Sequence, residues 1–197
     1  RTFVFLCFVL FPMVAMAYTD HPGGTISADE TWLAGTHCVT GTITVANGVR
    51  LTIMSGAVVK FAPKMQMTVY GNLRAGETEA DDVVFTSRDD DAYGEPIAGS
   101  DGSPAPGDWK GIYLYGNGIN EGIGNFDHCR IRYGGDPSGS AAANVHFYYS
   151  DSGYFKNSVS EFSEVYGLLV SSCSPEVVNK TVANNGSHGL YTQMSGV

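Results

Sequence analysis

The chain has 197 residues, with 11 Lys and Arg against 20 Asp and Glu, 43% apolar residues, 16% charged residues and 25 glycines. That apolar content fits one globular domain or an elongated repeat and argues against disorder. A formal net charge of −9 leaves no basic patch to neutralise phosphates, so nucleic acid is not an expected partner, and an acidic protein surface is disfavoured too.

The segment Arg1 to Ala17, RTFVFLCFVLFPMVAMA, is an apolar run behind one cation and ends in the small-x-small triplet Ala15-Met16-Ala17. This pattern predicts a secretory signal peptide over 1–17 and a secreted or cell-surface product. The run is shorter than the ~20 residues a spanning helix needs, and Pro12 interrupts it, so no transmembrane span is expected. Cleavage after Ala17 removes Cys7 and leaves Cys38, Cys129 and Cys173, with no CxxC pair of the kind that binds zinc or does redox work. With an odd number of thiols at most one bridge forms. Free thiols buried as small apolar groups are the expectation.

Residues 18–36 are polar and carry Trp32, and are expected to cap the array that follows, because a bare end rung would aggregate. From residue 37 to 197 the chain repeats. Ile43-Thr-Val45, Leu51-Thr-Ile53 and Val59-Lys-Phe61 are short segments with apolar residues at i and i+2, the period of a strand. Met67-Thr-Val69, Leu73-Arg-Ala75 and Val83-Val-Phe85 follow at offsets of 24, 22 and 24 residues. Three strands per unit, here named the first, second and third sides, therefore return every 22 to 24 residues.

Ile112-Tyr-Leu114, Val145-His-Phe147, Leu168-Leu-Val170 and Leu190-Tyr-Thr192 continue the first side. Ile131-Arg-Tyr133, Val159-Ser-Glu161 and Val182-Ala-Asn184 continue the third, with Val159 laid on Val182. Glycines such as Gly48, Gly56, Gly71, Gly167 and Gly189 fall between or beside strands, where the chain turns sharply. Asn157, Asn179 and Asn184 are placed to hydrogen-bond turn backbone in neighbouring units. No stretch keeps a helical apolar period for three turns. The fold class is all-β, a parallel solenoid of about five to six coils.

Residues 87–108, SRDDDAYGEPIAGSDGSPAPGD, break the period and read as a loop pushed out of the third side. Asp89, Asp90, Asp91, Glu95, Asp101 and Asp108 are its candidate oxygen ligands for Ca²⁺. Against that role, Tyr93 stands where a calcium loop needs a third donor, and a solvated acidic loop is the competing reading. No other cofactor is expected.

The runs GTITVANGVRLTIMSGAVVKF (Gly41 to Phe61), PGDWKGIYLYG (Pro106 to Gly116), FDHCRIRYGG (Phe126 to Gly135) and NNGSHGLYT (Asn184 to Thr192) resemble the right-handed parallel β-helix proteins of the pectin-lyase-like superfamily, particularly secreted bacterial proteins with parallel β-helix repeats. The resemblance covers about residues 32 to 197 and implies a right-handed helix. It also implies a search for polysaccharide-cleaving groups, since enzymes on this fold project carboxylates and bases from adjacent rungs.

The outward residues on the first side are Thr44, Thr68, Tyr113, His146, Leu169 and Tyr191. On the third they are Lys60, Val84, Arg132, Ser160 and Ala183. Neither row stacks two acids or an acid-plus-base set, so no catalytic residue is assigned. Ser187-His188-Gly189 looks like the Gly-His-Gly of polygalacturonases, but the Asp set that family needs one and two coils earlier is missing.

Tyr113, Tyr115, His146, Tyr148 and Tyr191 would share one face at the ~4.8 Å rung spacing, as flat rings with polar edges suited to sugar; rings that merely cover one another are the alternative. Thr42, Thr44, Thr52 and Thr68 make a patch too short for an ice or mineral face. The leading expectation is a secreted, non-catalytic β-helix scaffold or adhesin whose partner is a polysaccharide or cell-surface glycan. The alternative is a polysaccharide lyase or glycoside hydrolase with catalytic coils beyond Val197, since the sequence stops one corner after a strand and reads as a fragment. Two tripeptides, Asn179-Lys-Thr181 and Asn185-Gly-Ser187, have the form of N-glycosylation acceptors.

Overall fold

The structure is a computed structural model that describes residues 18–76, 81–150 and 152–194. The expected signal peptide over 1–17 lies outside them. The first coil is β1 (Tyr18–His21), β2 (Gly24–Ile26) and β3 (Glu30–Trp32), and the second is β4 (Gly35–Val39), β5 (Ile43–Val45) and β6 (Arg50–Ile53). The third is β7 (Ala57–Phe61), β8 (Gln66–Val69) and β9 (Asn72–Ala75), and the fourth is β10 (Val83–Ser87), β11 (Gly111–Tyr115) and β12 (Ile123–Asp127). The fifth is β13 (Cys129–Arg132), β14 (Ala143–Tyr148) and β15 (Gly153–Lys156). The sixth is β16 (Val159–Glu161), β17 (Tyr166–Ser171) and β18 (Glu176–Val178). Then β19 (Thr181–Ala183) and β20 (Leu190–Gln193) begin a seventh.

Each strand pairs in parallel with the strand three further along the chain. The first side is the sheet β2-β5-β8-β11-β14-β17-β20, the second β3-β6-β9-β12-β15-β18 and the third β1-β4-β7-β10-β13-β16-β19. The chain is a parallel β-solenoid. Residues 18–36, expected as a cap, supply a strand to every side, so the described residues hold six complete coils where five to six were expected.

The alternation seen in the sequence places one residue in two inside. Ile43, Met67, Ile112, Val145 and Leu168 stand in register on the first side, and Ile53, Ala75, Phe126 and Phe155 on the second. Phe126 meets Phe85, Phe147 and Phe155 at ring separations of 6.2, 6.2 and 5.9 Å. All four rings are fully buried, and each such burial contributes about 1.5–3 kcal/mol. Where Gly124 stands in register with Leu73, a Cβ would come within 2.4 Å of Leu114 Cδ1, so the inward position is left to leucine from the next side.

Non-glycine residues in the left-handed region turn the corners. His128, Asn157 and Asn179 lead from the second side to the third, with φ of 52°, 47° and 46°, and Tyr133, Phe162 and Asn184 from the third to the first, with φ of 62°, 55° and 56°. Each such residue costs about 1 kcal/mol. Contacts between coils offset this: Asn157 Nδ2 donates to Asp127 Oδ1 at 2.8 Å, Asn179 Nδ2 to Asn157 Oδ1 at 3.1 Å, and the Tyr133 and Phe162 rings stack at 5.3 Å. Asn157 and Asn179 were expected to bond turn backbone; they bond each other's side chains instead.

The third side departs from the expected register. Val59 pairs with Phe85 and not Val83, and Val182 pairs with Ser160, one residue along from Val159. The first slip is of two residues and keeps Val59 and Phe85 facing the same way; the second is of one residue, which exchanges inside for outside. Ser160, expected outward, is buried and donates to Gly167 O at 2.9 Å. The outward column is Lys60, Thr86, Arg132 and Glu161, with Val58, Val84 and Arg130 beside it.

The insertion at 87–108 is not pushed out. It folds back over this outer face, which carries the apolar Val58 and Val84. Gly94 packs on Val58, the Glu95 amide donates to Thr36 Oγ1 at 2.9 Å, and Ile97 is buried. Trp109 returns the chain inward, stacked on Phe61 at 4.1 Å with its Nε1 donating to Arg132 O at 2.9 Å. Cys38, Cys129 and Cys173 are buried and form no disulfide among the described residues.

Candidate functional site

The outward positions of the first side bring together most of the residues expected there. Tyr115 and Tyr148 are in register, their rings stacked at 5.4 Å and 17°. Tyr113 stands two residues before Tyr115 and meets Tyr115, Tyr148 and His146 at 5.7, 5.8 and 5.2 Å. Tyr70 extends the column by one coil, edge-on to Tyr115 at 5.6 Å, and Tyr149 closes it at the corner, edge-on to Tyr148 at 4.7 Å.

The first four tyrosines are half-buried and Tyr149 is exposed. Burial, and then the neighbouring Tyr148, Tyr115 and Tyr70, raise the Tyr113 hydroxyl pKa, so that phenol is neutral near pH 7. The result is a patch of apolar ring faces with hydroxyl edges, suited to stacking on a flat, hydroxylated ligand.

Two expected members behave differently. His146 lies in the right row, between Tyr113 and Leu169, but it is buried: Nε2 is 2.8 Å from Ser171 Oγ and Nδ1 is 3.2 Å from Ser140 O. Desolvation pushes its pKa down to about 4. Its ring therefore supports Tyr113 from beneath and offers no free nitrogen to a ligand. Tyr191 is in the same row, but buried Leu169 stands between it and His146. Tyr191 joins a second cluster instead, stacked on Tyr166 at 5.0 Å and beside His188 at 5.4 Å.

Tyr70 and Tyr149 were not among the residues expected on this face, although Tyr115 and Tyr148, at the equivalent place after their strand triplets, were. Tyr70 is two residues beyond Thr68, so the same i, i+2 rule applied one step further finds it.

The acidic insertion gathers no cation cup. Asp90 accepts from Thr86 Oγ1 at 2.6 Å and lies 3.5 Å from Arg132, and Asp91 lies 3.7 Å from Lys60 Nζ and accepts from Ser100 Oγ at 2.9 Å. Asp89 pairs with Arg88 at 3.3 Å. Asp101 accepts from the Ser103 amide at 2.9 Å, and Asp108 from Ser87 Oγ at 2.6 Å. Glu95 contributes its carbonyl, which accepts from Lys60 Nζ at 2.8 Å. Among the described residues no three His, Cys, Asp or Glu side chains converge to hold a metal ion.

Lys60 is fully buried, and desolvation lowers its pKa against the pull of Asp91 and Asp90. The carboxylates thus clasp the loop to the sheet.

The corrected register also creates a charge cluster that the sequence rows concealed. Arg132 lies between Asp90 and Glu161, each at 3.5 Å, and Arg130 pairs with Glu161 at 2.8 Å. Tyr93, Tyr133 and Phe162 enclose the Arg132 guanidinium at 5.1, 4.7 and 5.4 Å from their ring centres. The cations and rings hold the insertion down, which is a packing role. His188 is an exposed corner residue, its Nδ1 2.8 Å from Ser187 Oγ.

Fold and site together define a parallel β-solenoid with an aromatic outer face. No family model matches the chain, and no solved structure matches it. Over 77 residues it is 34% identical to Protein bark beetle of Drosophila melanogaster. That stretch is 39% of this chain and 2% of that much longer protein.

Proposed function

We propose that the chain is an exported, non-catalytic module related to the right-handed β-helix proteins of the pectin-lyase-like superfamily. It acts as an extracellular or cell-surface scaffold and binds glycan on its first side. The observation that carries the reading is the column Tyr70, Tyr115 and Tyr148 with Tyr113 beside it, aromatic rings held at fixed spacing by the sheet. The net charge of −9 disfavours polyanionic polymers and suits uncharged sugars.

The test is a glycan-array and depolymerisation screen covering neutral polysaccharides, pectins, alginate and host-type glycans, repeated with Tyr115→Ala/Tyr148→Ala. Each ring contributes about 0.5–1.5 kcal/mol, so the double variant is expected to weaken binding by about five- to 150-fold. Binding indifferent to the double variant would refute the aromatic face. New reducing ends or unsaturated products would refute the non-catalytic scaffold.

A further inference from the structure

We propose that Asn179 is an acceptor for N-linked glycosylation and that Asn185, in the other acceptor tripeptide, is not. The inference rests on the export reading, because the transfer takes place in a secretory lumen. Both tripeptides satisfy the sequence rule equally, Asn179-Lys180-Thr181 and Asn185-Gly186-Ser187. Their surroundings differ.

Asn179 follows β18 at a corner, with φ of 46°, and it is exposed together with Lys180 and Thr181. Its Nδ2 has two hydrogens, and one is given to Asn157 Oδ1 at 3.1 Å. The donor class is a lipid-pyrophosphate-linked oligosaccharide. Transfer forms a bond from Nδ2 to the sugar C1, breaks the bond from C1 to the phosphate oxygen, releases the lipid pyrophosphate and passes one amide proton to a base. The product amide keeps one N–H. The link to Asn157, and through it to Asp127, survives the modification.

Asn185 has no such latitude. It is half-buried, its Oδ1 accepts from the Ser163 amide at 2.9 Å, and its Nδ2 points to Ser160 O at 3.4 Å. A Cβ placed on Gly167 would lie 2.6 Å from that same Nδ2. A sugar ring on Nδ2 has to occupy this space, so it would pry open the corner between β19 and β20 where it packs on the sixth coil. A chain carrying it cannot close the corner, and the folded, secreted product carries its glycan on Asn179.

The experiment secretes the chain from mammalian cells behind a heterologous signal sequence, so that the result does not depend on residues 1–17. Folded product is treated with peptide-N-glycosidase in ¹⁸O water and mapped by mass spectrometry. The expected result is ¹⁸O-labelled aspartate at position 179 and unlabelled Asn185. Asn179→Gln and Thr181→Ala should each abolish the gel shift, and Asn185→Gln should leave it. Thr181→Ala leaves the Asn179 side chain and its ladder in place, so it separates loss of the acceptor from loss of the corner. Label at Asn185 in folded protein, or its absence at Asn179, overturns the proposal. The chain behind its own residues 1–17 measures export separately.

Discussion

Acidification is expected to destabilise the solenoid through His146. Both ring nitrogens of this residue have partners, Ser171 Oγ in β17 and Ser140 O in the preceding corner loop, and desolvation holds its pKa at about 4 against 6.5 for the free side chain. The unfolded chain therefore takes up the proton first as pH falls. The stabilisation is fully present above about pH 6.5 and is lost as pH drops toward 4. Linkage over that interval gives a loss of about 3 kcal/mol, of which about 2 kcal/mol has gone by pH 5.

Urea unfolding at pH 7 and pH 5 measures the difference, with His146→Gln as the control that cannot titrate. The variant should start less stable and lose about 2 kcal/mol less than the parent between the two pH values. Equal losses in parent and variant would refute the assignment, and so would a histidine titration near 6.5 at this position by NMR.

Phe126→Ala should cost about 3–5 kcal/mol, read as a lower denaturant midpoint, because the ring touches three other phenylalanines and the rigid coils cannot close the void. Gly111→Ala is expected to unfold the first side locally, since φ is 97° and the added Cβ would lie 1.9 Å from Ala143 O; hydrogen exchange in β11 and β14 detects it, and unchanged protection would count against the register. Neither EDTA nor added Ca²⁺ should move the melting temperature, because Asp89, Asp90, Asp91, Asp101 and Asp108 are bound to Lys60, Arg132, Arg88, hydroxyls and amides; a rise with calcium would reinstate a cation site. Asp91→Ala should speed proteolysis between residues 88 and 106 by removing the carboxylate nearest buried Lys60, with nicked fragments seen on a gel, and a parent-like rate would deny the clasp.

The repeat was legible because inward Ile, Val, Leu and Phe recur two apart and return at nearly constant spacing; that alone specifies three parallel sheets. Register on the third side was not, because corner lengths vary from coil to coil, and Val182 looks like a match for Val159 until the turn at Phe162 is placed. The first coil escaped notice because Thr19, Thr25 and Glu30 dilute its alternation. Most of the aromatic patch could be read from tyrosines at outward positions. The burial of His146 could not, since its cover, Ser140, comes from a corner loop with no apolar signal. The clasp over Lys60 was equally hidden: a lone lysine in a strand reads as solvent-facing until a loop from another coil is laid across it.

A stack in which every coil touches only its neighbours would be expected to melt as a string of loosely coupled links. The insertion changes that expectation here. Through Thr36, Lys60, Thr86 and Arg132 it fastens the second, third, fourth and fifth coils to one strip of chain. These four coils should open together as one cooperative block, while the first coil and the sixth onward remain free to fray. The mechanical unit of this array is then set by a segment outside the repeat, with the aromatic face centred on the third to fifth coils, where the array is most firmly bound together.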